Sequence, residues 1–167
     1  MHFNIYKVAY TDKRLIQKIL EALIFLKQDY PDFLSWYRTK VMAGLEDGSR
    51  QIYVAAPDHD SDCIAAVMIL KNDGEEKKIS TLCVMENFRS LGLGSRLVAL
   101  AMERLNCNAP IITVSDVHKN EFDPLLNKFG FEHFEEYPAY YKDGISEHCY
   151  NGYLNPQKST RDCKEAS

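Results

Sequence analysis

Several things are scarce in this sequence, and each shortage excludes a class of protein. Five cysteines at 63, 83, 107, 149 and 163 form no C-x-x-C pair and are odd in number. Neither a zinc cage nor a disulfide framework is therefore expected. Cys63, Cys83 and Cys149 lie in apolar, strand-like runs and read as small buried hydrophobes of a reducing compartment. No apolar run approaches the ~18 residues a membrane-spanning helix requires. Residues 1–7 lack a basic stretch followed by an apolar one, so no secretory signal and a cytoplasmic location are expected. Positive charge is not in excess: 20 basic against 24 acidic residues leave a formal net charge of −4. That balance argues against nucleic acid as a partner and inclines toward a cationic or neutral small substrate.

The chain has 167 residues, 46% hydrophobic and 26% charged. This suits one soluble globular domain, expected over residues 1–154, with a polar tail over 155–167. Residues 3–9 alternate and read as a strand. Leu15, Ile16, Ile19, Leu20, Leu23, Ile24 and Leu26 recur at helical spacing, predicting an amphipathic helix over 12–29. Tyr30-Pro31-Asp32 breaks it. A second helix follows through Phe33, Trp36, Tyr37 and Met42, its end bracketed by Gly44 and Gly48. Strands at 51–56, 63–70 and 78–84 are joined by turn chemistry and form an antiparallel meander. A glycine turn opens a helix carrying Leu93, Leu97, Leu100, Ala101 and Leu105 on one face. A short strand at 111–114, reached through that helix, is expected to run parallel to its predecessor. A helix over 120–129 and strands at 131–137 and 147–154 complete a mixed α/β order.

The informative segment is Leu82-Cys83-Val84-Met85-Glu86-Asn87-Phe88-Arg89-Ser90-Leu91-Gly92-Leu93-Gly94-Ser95. A strand runs through a glycine-containing loop into a helix start. The unpaired N–H groups and positive dipole end of that helix make an anion cradle, and glycines let a phosphate come close. A dinucleotide fingerprint would need a third glycine at position 97, which is Leu, and a P-loop would need Gly-Lys-Ser/Thr, where Gly94 is followed by Ser95-Arg96.

Arg89-Ser90-Leu91-Gly92-Leu93-Gly94 resembles the Arg/Gln-x-x-Gly-x-Gly/Ala signature of the GNAT family of N-acetyltransferases. Asn127-Lys128-Phe129-Gly130-Phe131-Glu132 resembles that family's second signature, a short helix ending in Lys-x-Gly-Phe-Glu before a strand. The element order is similar too, so the resemblance covers roughly residues 3–154. It implies a mixed, mostly antiparallel central sheet, with a V-shaped splay between two parallel strands and helices on both faces. It implies acetyl-CoA as co-substrate, its pantetheine arm pairing with the backbone of Leu82, Cys83 and Val84. The pyrophosphate would sit on the N–H groups of Leu91, Gly92, Leu93, Gly94 and Ser95, with Arg89 and Ser90 completing the turn and Asn120 either reaching the coenzyme arm or capping its helix. The implied reaction is direct attack of an amine on the thioester, with the Val84 N–H as oxyanion donor and no metal.

The side-chain catalysts depart from the family pattern. Many relatives place a glutamate nine or eleven residues before the signature arginine; here those positions hold Ser80 and Lys78. Many place a tyrosine four residues before the Gly of Gly-Phe; here that position is Leu126. Substitutes are Tyr141 or Tyr140, in the loop expected between the last two strands, as the acid. Ser80 would hold a water, and His118 would serve as a base. Other partners implied are an unidentified amine acceptor and no membrane, with a homodimer left open. Two competing functions are a non-catalytic acetyl-CoA-binding module and an acetyltransferase acting on aminoacyl-tRNA, the latter disfavoured by the net charge.

Overall fold

The protein is described from a computed structural model, over residues 1–154; the expected tail over 155–167 lies outside the described residues. Seven strands form one sheet in the order β1-β2-β3-β4-β5-β7-β6. These are β1 (Phe3–Lys7), β2 (Arg50–Pro57), β3 (Ala66–Asn72), β4 (Lys77–Val84), β5 (Ile111–Ser115), β6 (His133–Lys142) and β7 (Ile145–Tyr150). Every neighbouring pair is antiparallel except β4 and β5. The chain can place these two side by side in parallel because a whole helix, α4 (Leu93–Leu105), crosses between them.

Alternation along β3 shows how the sheet is covered. Met68 and Leu70 face one layer, where α4 and α5 (Lys119–Lys128) contribute Leu93, Leu97, Val98, Ala101 and Leu126. Val67 and Ile69 face the other, where α1 (Lys13–Leu23) contributes Ile16, Ile19, Leu20 and Leu23. α2 (Phe33–Trp36), a π turn (Tyr37–Val41) and α3 (Met42–Asp47) complete that second layer. Both faces of the central strand are thus apolar, and a Leu→Ala change at such positions costs about 2–5 kcal/mol. The Asp12 side chain caps α1 by accepting from the Leu15 N–H at 3.0 Å. Among the described residues no helix is long and apolar enough to cross a membrane.

Local departures from the expected elements have physical reasons. The first helix tightens at Ile24 into a 3-10 turn, Ile24–Gln28. Gly44 does not bracket a helix end; it lies inside α3, packed under the stem of Arg50. Tyr140 and Tyr141 do not lie in a loop. They belong to β6, which continues past an irregularity at Ala139, where φ is 50° and the register with β7 shifts. Cys63 is only half-buried and precedes β3, where a buried position within the strand was expected.

Candidate active site

The site begins where two strands part. β4 and β5 pair only at Lys78 with Ile111 and Ile79 with Ile112. Both strands continue, β4 to Val84 and β5 to Ser115, without further pairing. At the point of separation β4 carries a bulge: Leu70 pairs with Ile79 and Ile69 with Thr81, so Ser80 is the extra residue. A bulge bends its strand and increases its twist, which turns β4 away from β5.

The backbone of the splayed segment has a definite polarity. The Met85 N–H donates to the Ala65 carbonyl, on the β3 side, at 2.9 Å. Successive residues of a strand direct their backbone groups to opposite sides, so the N–H groups of Val84 and Leu82 point away from β3 into the gap. The backbone of Cys83 faces β3 instead, and only its side chain borders the cleft. The expectation of three pairing residues thus narrows to two. The Val84 carbonyl is occupied: Arg89 Nε donates to it at 3.2 Å, while Arg89 Nη1 lies 3.3 Å from Glu121 Oε1. Arg89 pins the loop between strand and helix.

Beyond the pin, Ser90 and Gly92 adopt left-handed conformations, with φ of 61° and 80°. They turn the chain so that α4 begins at Leu93. The first intrahelical bond is from the Arg96 N–H to the Gly92 carbonyl, at 3.1 Å. The N–H groups of Leu93, Gly94 and Ser95 therefore have no helical partner and face the cleft. Lys128, from the second signature, donates to Ser95 Oγ at 3.1 Å and adds a cation beside this helix start. Two expected members fall away: Leu91 is 47% exposed and lies outside the cleft, as does Asn120. The residue preceding α5 is His118, so Asn120 is not its cap either.

Glycine turn and splay form one end of a cleft of about 770 Å³. Its other end lies between α2, the start of β4 and β6. Ser80 faces this half, accepting a hydrogen bond from Arg50 Nη1 at 3.0 Å. Tyr141 enters from β6 and meets Tyr30 edge-on, ring centroids 5.3 Å apart. The Tyr30 hydroxyl donates to Glu147 Oε1 at 3.1 Å. Glu147 is only 2% exposed, and burial pushes its carboxyl above the usual carboxylate range, opposed by hydrogen bonds from Thr113 and Tyr30. Burial, then the charge of Glu147, holds the hydroxyls of both tyrosines well above the ordinary phenol value.

His118 borders the cleft but has no free nitrogen. Nε2 lies 3.0 Å from Asp29 Oδ2 and Nδ1 3.5 Å from Glu121 Oε2. It braces the end of β5 against the segment before α2, which is a positioning task. Leu126, at the family's tyrosine position, is 1% exposed and belongs to the core under α4. Burial raises the Cys83 thiol to about 11, so it holds no thiolate at neutral pH. Among the described residues no group of three or more His, Cys, Asp or Glu side chains could hold a metal ion.

The Tyr30–Glu147 pair and the Arg50–Ser80 contact were not anticipated from the sequence. A glutamate within the expected strand at 147–154 was the available signal for the first. The second had none, since it needs β2 and β4 brought to opposite sides of β3.

A splayed parallel pair with an open helix start beyond it is the geometry the two signatures implied. Residues 13–131 match the model of the Acetyltransferase (GNAT) family. The chain belongs to the GNAT acetyltransferase family. Its fold is shared with solved members at low sequence identity. An acetyltransferase of the GNAT family from Bacillus cereus is 12% identical over 90% of this chain and 96% of its own, with a TM-score of 0.65. The PaiA N-acetyltransferase of Thermoplasma acidophilum, solved with coenzyme A, is 17% identical over 88% and 98%, with a TM-score of 0.59. The NatC complex, bound to a Gag peptide and coenzyme A, contains a chain 14% identical over 90% and 97%, with a TM-score of 0.62. No curated protein matches the sequence.

Proposed function

We propose that this GNAT domain transfers acetyl from acetyl-CoA to a primary amine by direct attack in a ternary complex. The observation that carries the reading is the parting of β4 from β5 at Ile79, which leaves the Leu82 and Val84 N–H groups facing the gap just ahead of the open start of α4. An extended amide-bearing arm would pair with the second, and a pyrophosphate would rest on the N–H groups of Leu93, Gly94 and Ser95 with Arg89 and Lys128 nearby. The thioester then reaches past Val84 toward the apex of the splay, its carbonyl oxygen directed to the Leu82 N–H rather than to that of Val84, which stands at the coenzyme end.

Direct transfer is favoured over an acyl-enzyme because the one cysteine among the described residues that borders the cleft, Cys83, is held protonated. The amine nitrogen attacks the carbonyl carbon, forming the N–C bond. The tetrahedral oxyanion is held by the Leu82 N–H. The C–S bond breaks, and the leaving sulfur takes a proton from the Tyr141 hydroxyl. The proton lost by the amine is taken up by Tyr30 as its own passes to Glu147, so the pair acts as a relay. Ser80 would hold a water beside this path, and His118 positions the end of β5 through Asp29.

The test is thiol release from acetyl-CoA across a broad library of amines, with acetyl-CoA binding measured in parallel by calorimetry. Turnover with any primary amine supports the reading. Binding without turnover throughout the library would replace it with a coenzyme-binding module, for which the buried Leu126 would then be the relevant mark. The cytoplasmic location remains part of the proposal, with a soluble amine as the expected acceptor.

A further inference from the structure

Where many relatives carry catalytic carboxylates, the acceptor half of this cleft carries cations. Arg50 pairs with Lys71 across β2 and β3, and Lys71 with Lys78 across β3 and β4. Directly opposed residues share a face of the sheet. The three therefore form one row on the face covered by α1 to α3, and all border the cleft. Lys71 is neutralised by Asp73 and Glu76, each 3.1 Å away. Glu147, the other buried acid nearby, is turned to Tyr30. Among the described residues no carboxylate lies within 4 Å of Arg50 or Lys78.

Arg50 is held in place. Its guanidinium lies over the Trp36 ring at 5.4 Å and donates to Ser80 Oγ at 3.0 Å. Its stem runs across Gly44, where an added Cβ would stand 2.4 Å from Arg50 Cγ. A glycine inside a helix is destabilising against alanine, and here it opens the space the arginine occupies. Burial is costly for both side chains; it lowers the proton affinity of each, opposed at Arg50 by the charges of Glu76, Asp73 and Asp47 and at Lys78 chiefly by that of Glu76, with Glu147 adding to it. Nor does the row belong to the pyrophosphate cradle. Lys78 stands six residues before Val84 along β4, about 20 Å at strand rise.

We infer that Arg50 and Lys78 form a subsite for an anionic group, carboxylate or phosphate, carried by the amine acceptor. This rests on the acetyltransferase reading and names its substrate class. It reverses the preference for cationic or neutral substrates that net charge alone suggests. The anion would supply the close counterion that the pair lacks, and the amine would extend from it along β4 past the apex at Ile79 toward Leu82. An Arg–anion pair is typically bidentate and geometrically selective, which would fix the acceptor's orientation.

The test compares matched acceptors. L-Phenylalanine, L-methionine and L-lysine are each set against the corresponding carboxamide, and 2-aminoethyl phosphate against ethanolamine. Thiol release is followed with saturating acetyl-CoA. The coenzyme-A-saturated protein is also titrated calorimetrically with each compound. At least one anionic member should bind about 10- to 100-fold more tightly than its neutral partner, the span expected for a charge-assisted contact. Whether an acid or the phosphate shows the larger ratio identifies the anion. Arg50→Gln and Lys78→Gln should bring the ratio toward one without changing coenzyme affinity. Gly44→Ala, which displaces Arg50 while keeping its charge, should lower it too. Equal binding of all pairs by the wild type, or an unchanged ratio in the folded Lys78→Gln and Gly44→Ala proteins, overturns the inference. Because the titration needs no turnover, it decides the subsite even if no amine releases thiol and the acetyltransferase reading itself fails.

Discussion

The Tyr30 hydroxyl and the Glu147 carboxylate, 117 positions apart in sequence, meet at 3.1 Å where the segment before α2 crosses over β7. Tyr30 borders the cleft, while Glu147 is sealed behind it. An acid in that position reaches the substrate only through the phenol. Tyr30→Phe and Glu147→Gln should therefore lower kcat to a similar extent, and the double variant should be no worse than either. Steady-state thiol release with the best amine measures this. Independent, multiplying losses would remove the relay.

Glu147 also predicts a pH dependence of stability. Its folded-state pKa is raised by burial above the unfolded value. Between about pH 4.3, the ordinary value, and the folded pKa, the folded protein binds more protons than the unfolded chain at this group, so stability falls as pH rises. Glu147→Gln abolishes that loss. The difference in Tm between variant and wild type should move in the variant's favour as pH increases through this window and be level below it. Thermal melts from pH 3.5 to 8 provide the measurement. A difference that moves the opposite way would mean that the ionised form is stabilised in place.

The glycine turn yields two further predictions. A Cβ at Gly94 would stand 3.2 Å from Leu125 Cδ2, a contact that asks Leu125 to give by a few tenths of an ångström. Gly94→Val should thus fold with a lowered Tm. Its side chain stands beside the free N–H groups, and acetyl-CoA affinity should fall about 10- to 100-fold, the equivalent of losing one or two charge-assisted contacts. A folded variant with unchanged affinity would remove the turn from the coenzyme site.

Salt provides a check on the same site without mutation. The cradle combines backbone N–H groups with two cations, Arg89 and Lys128, and Arg89 is already partnered by Glu121. Acetyl-CoA affinity should decline only modestly from low to physiological ionic strength, as expected for a partly enclosed anion. A steep log–log slope of the kind produced by releasing many counterions would point to a polyanionic acceptor instead.

The sequence carried the glycine-turn end of this cleft far better than its other end, for a physical reason. A phosphate cradle is built from contiguous backbone, so Arg89 through Ser95 had to appear as one segment with glycine at its left-handed position. The parallel pair followed because a helix separates β4 from β5. The acceptor half is assembled from side chains that share no segment. Arg50, Trp36, Gly44 and Ser80 come from β2, α2, α3 and β4. Their meeting depends on strand register and on a one-residue bulge, and neither is encoded in local composition. His118 looked like a base because a histidine in a loop is usually unpartnered; only the fold brings Asp29 and Glu121 to its two nitrogens. Asn120 missed the cleft because one residue of shift on a helix rotates a side chain by about 100°.

The remaining prediction concerns the proton for the leaving thiolate. Leu126 is buried in the core and cannot supply it. Tyr141 borders the cleft, packed against Tyr30 at 5.3 Å and Tyr140 at 4.7 Å. The irregularity at Ala139 lets β6 continue past Pro138, and Lys142 is tied to the Gln28 carbonyl, so the phenol is presented from a fixed strand rather than a mobile loop. Burial, followed by the charge of Glu147, keeps its hydroxyl protonated throughout the neutral range. That state suits a donor and excludes a base. Tyr141→Phe keeps the ring and removes only the proton, so kcat should fall by about 10²- to 10⁴-fold, the range for a lost general acid. Acetyl-CoA affinity should hardly change, because its contacts lie at the other end of the cleft. Tyr140→Phe is the control: its hydroxyl is outside the cleft, and its kcat should stay near that of the wild type. Raising the pH should not rescue Tyr141→Phe through the amine, but an acetyl thioester with a more acidic leaving thiol should, since such a thiolate departs without help. If Tyr141→Phe retains full turnover with acetyl-CoA, the thiolate leaves unaided or through water, and the tyrosine is a wall of the acceptor site.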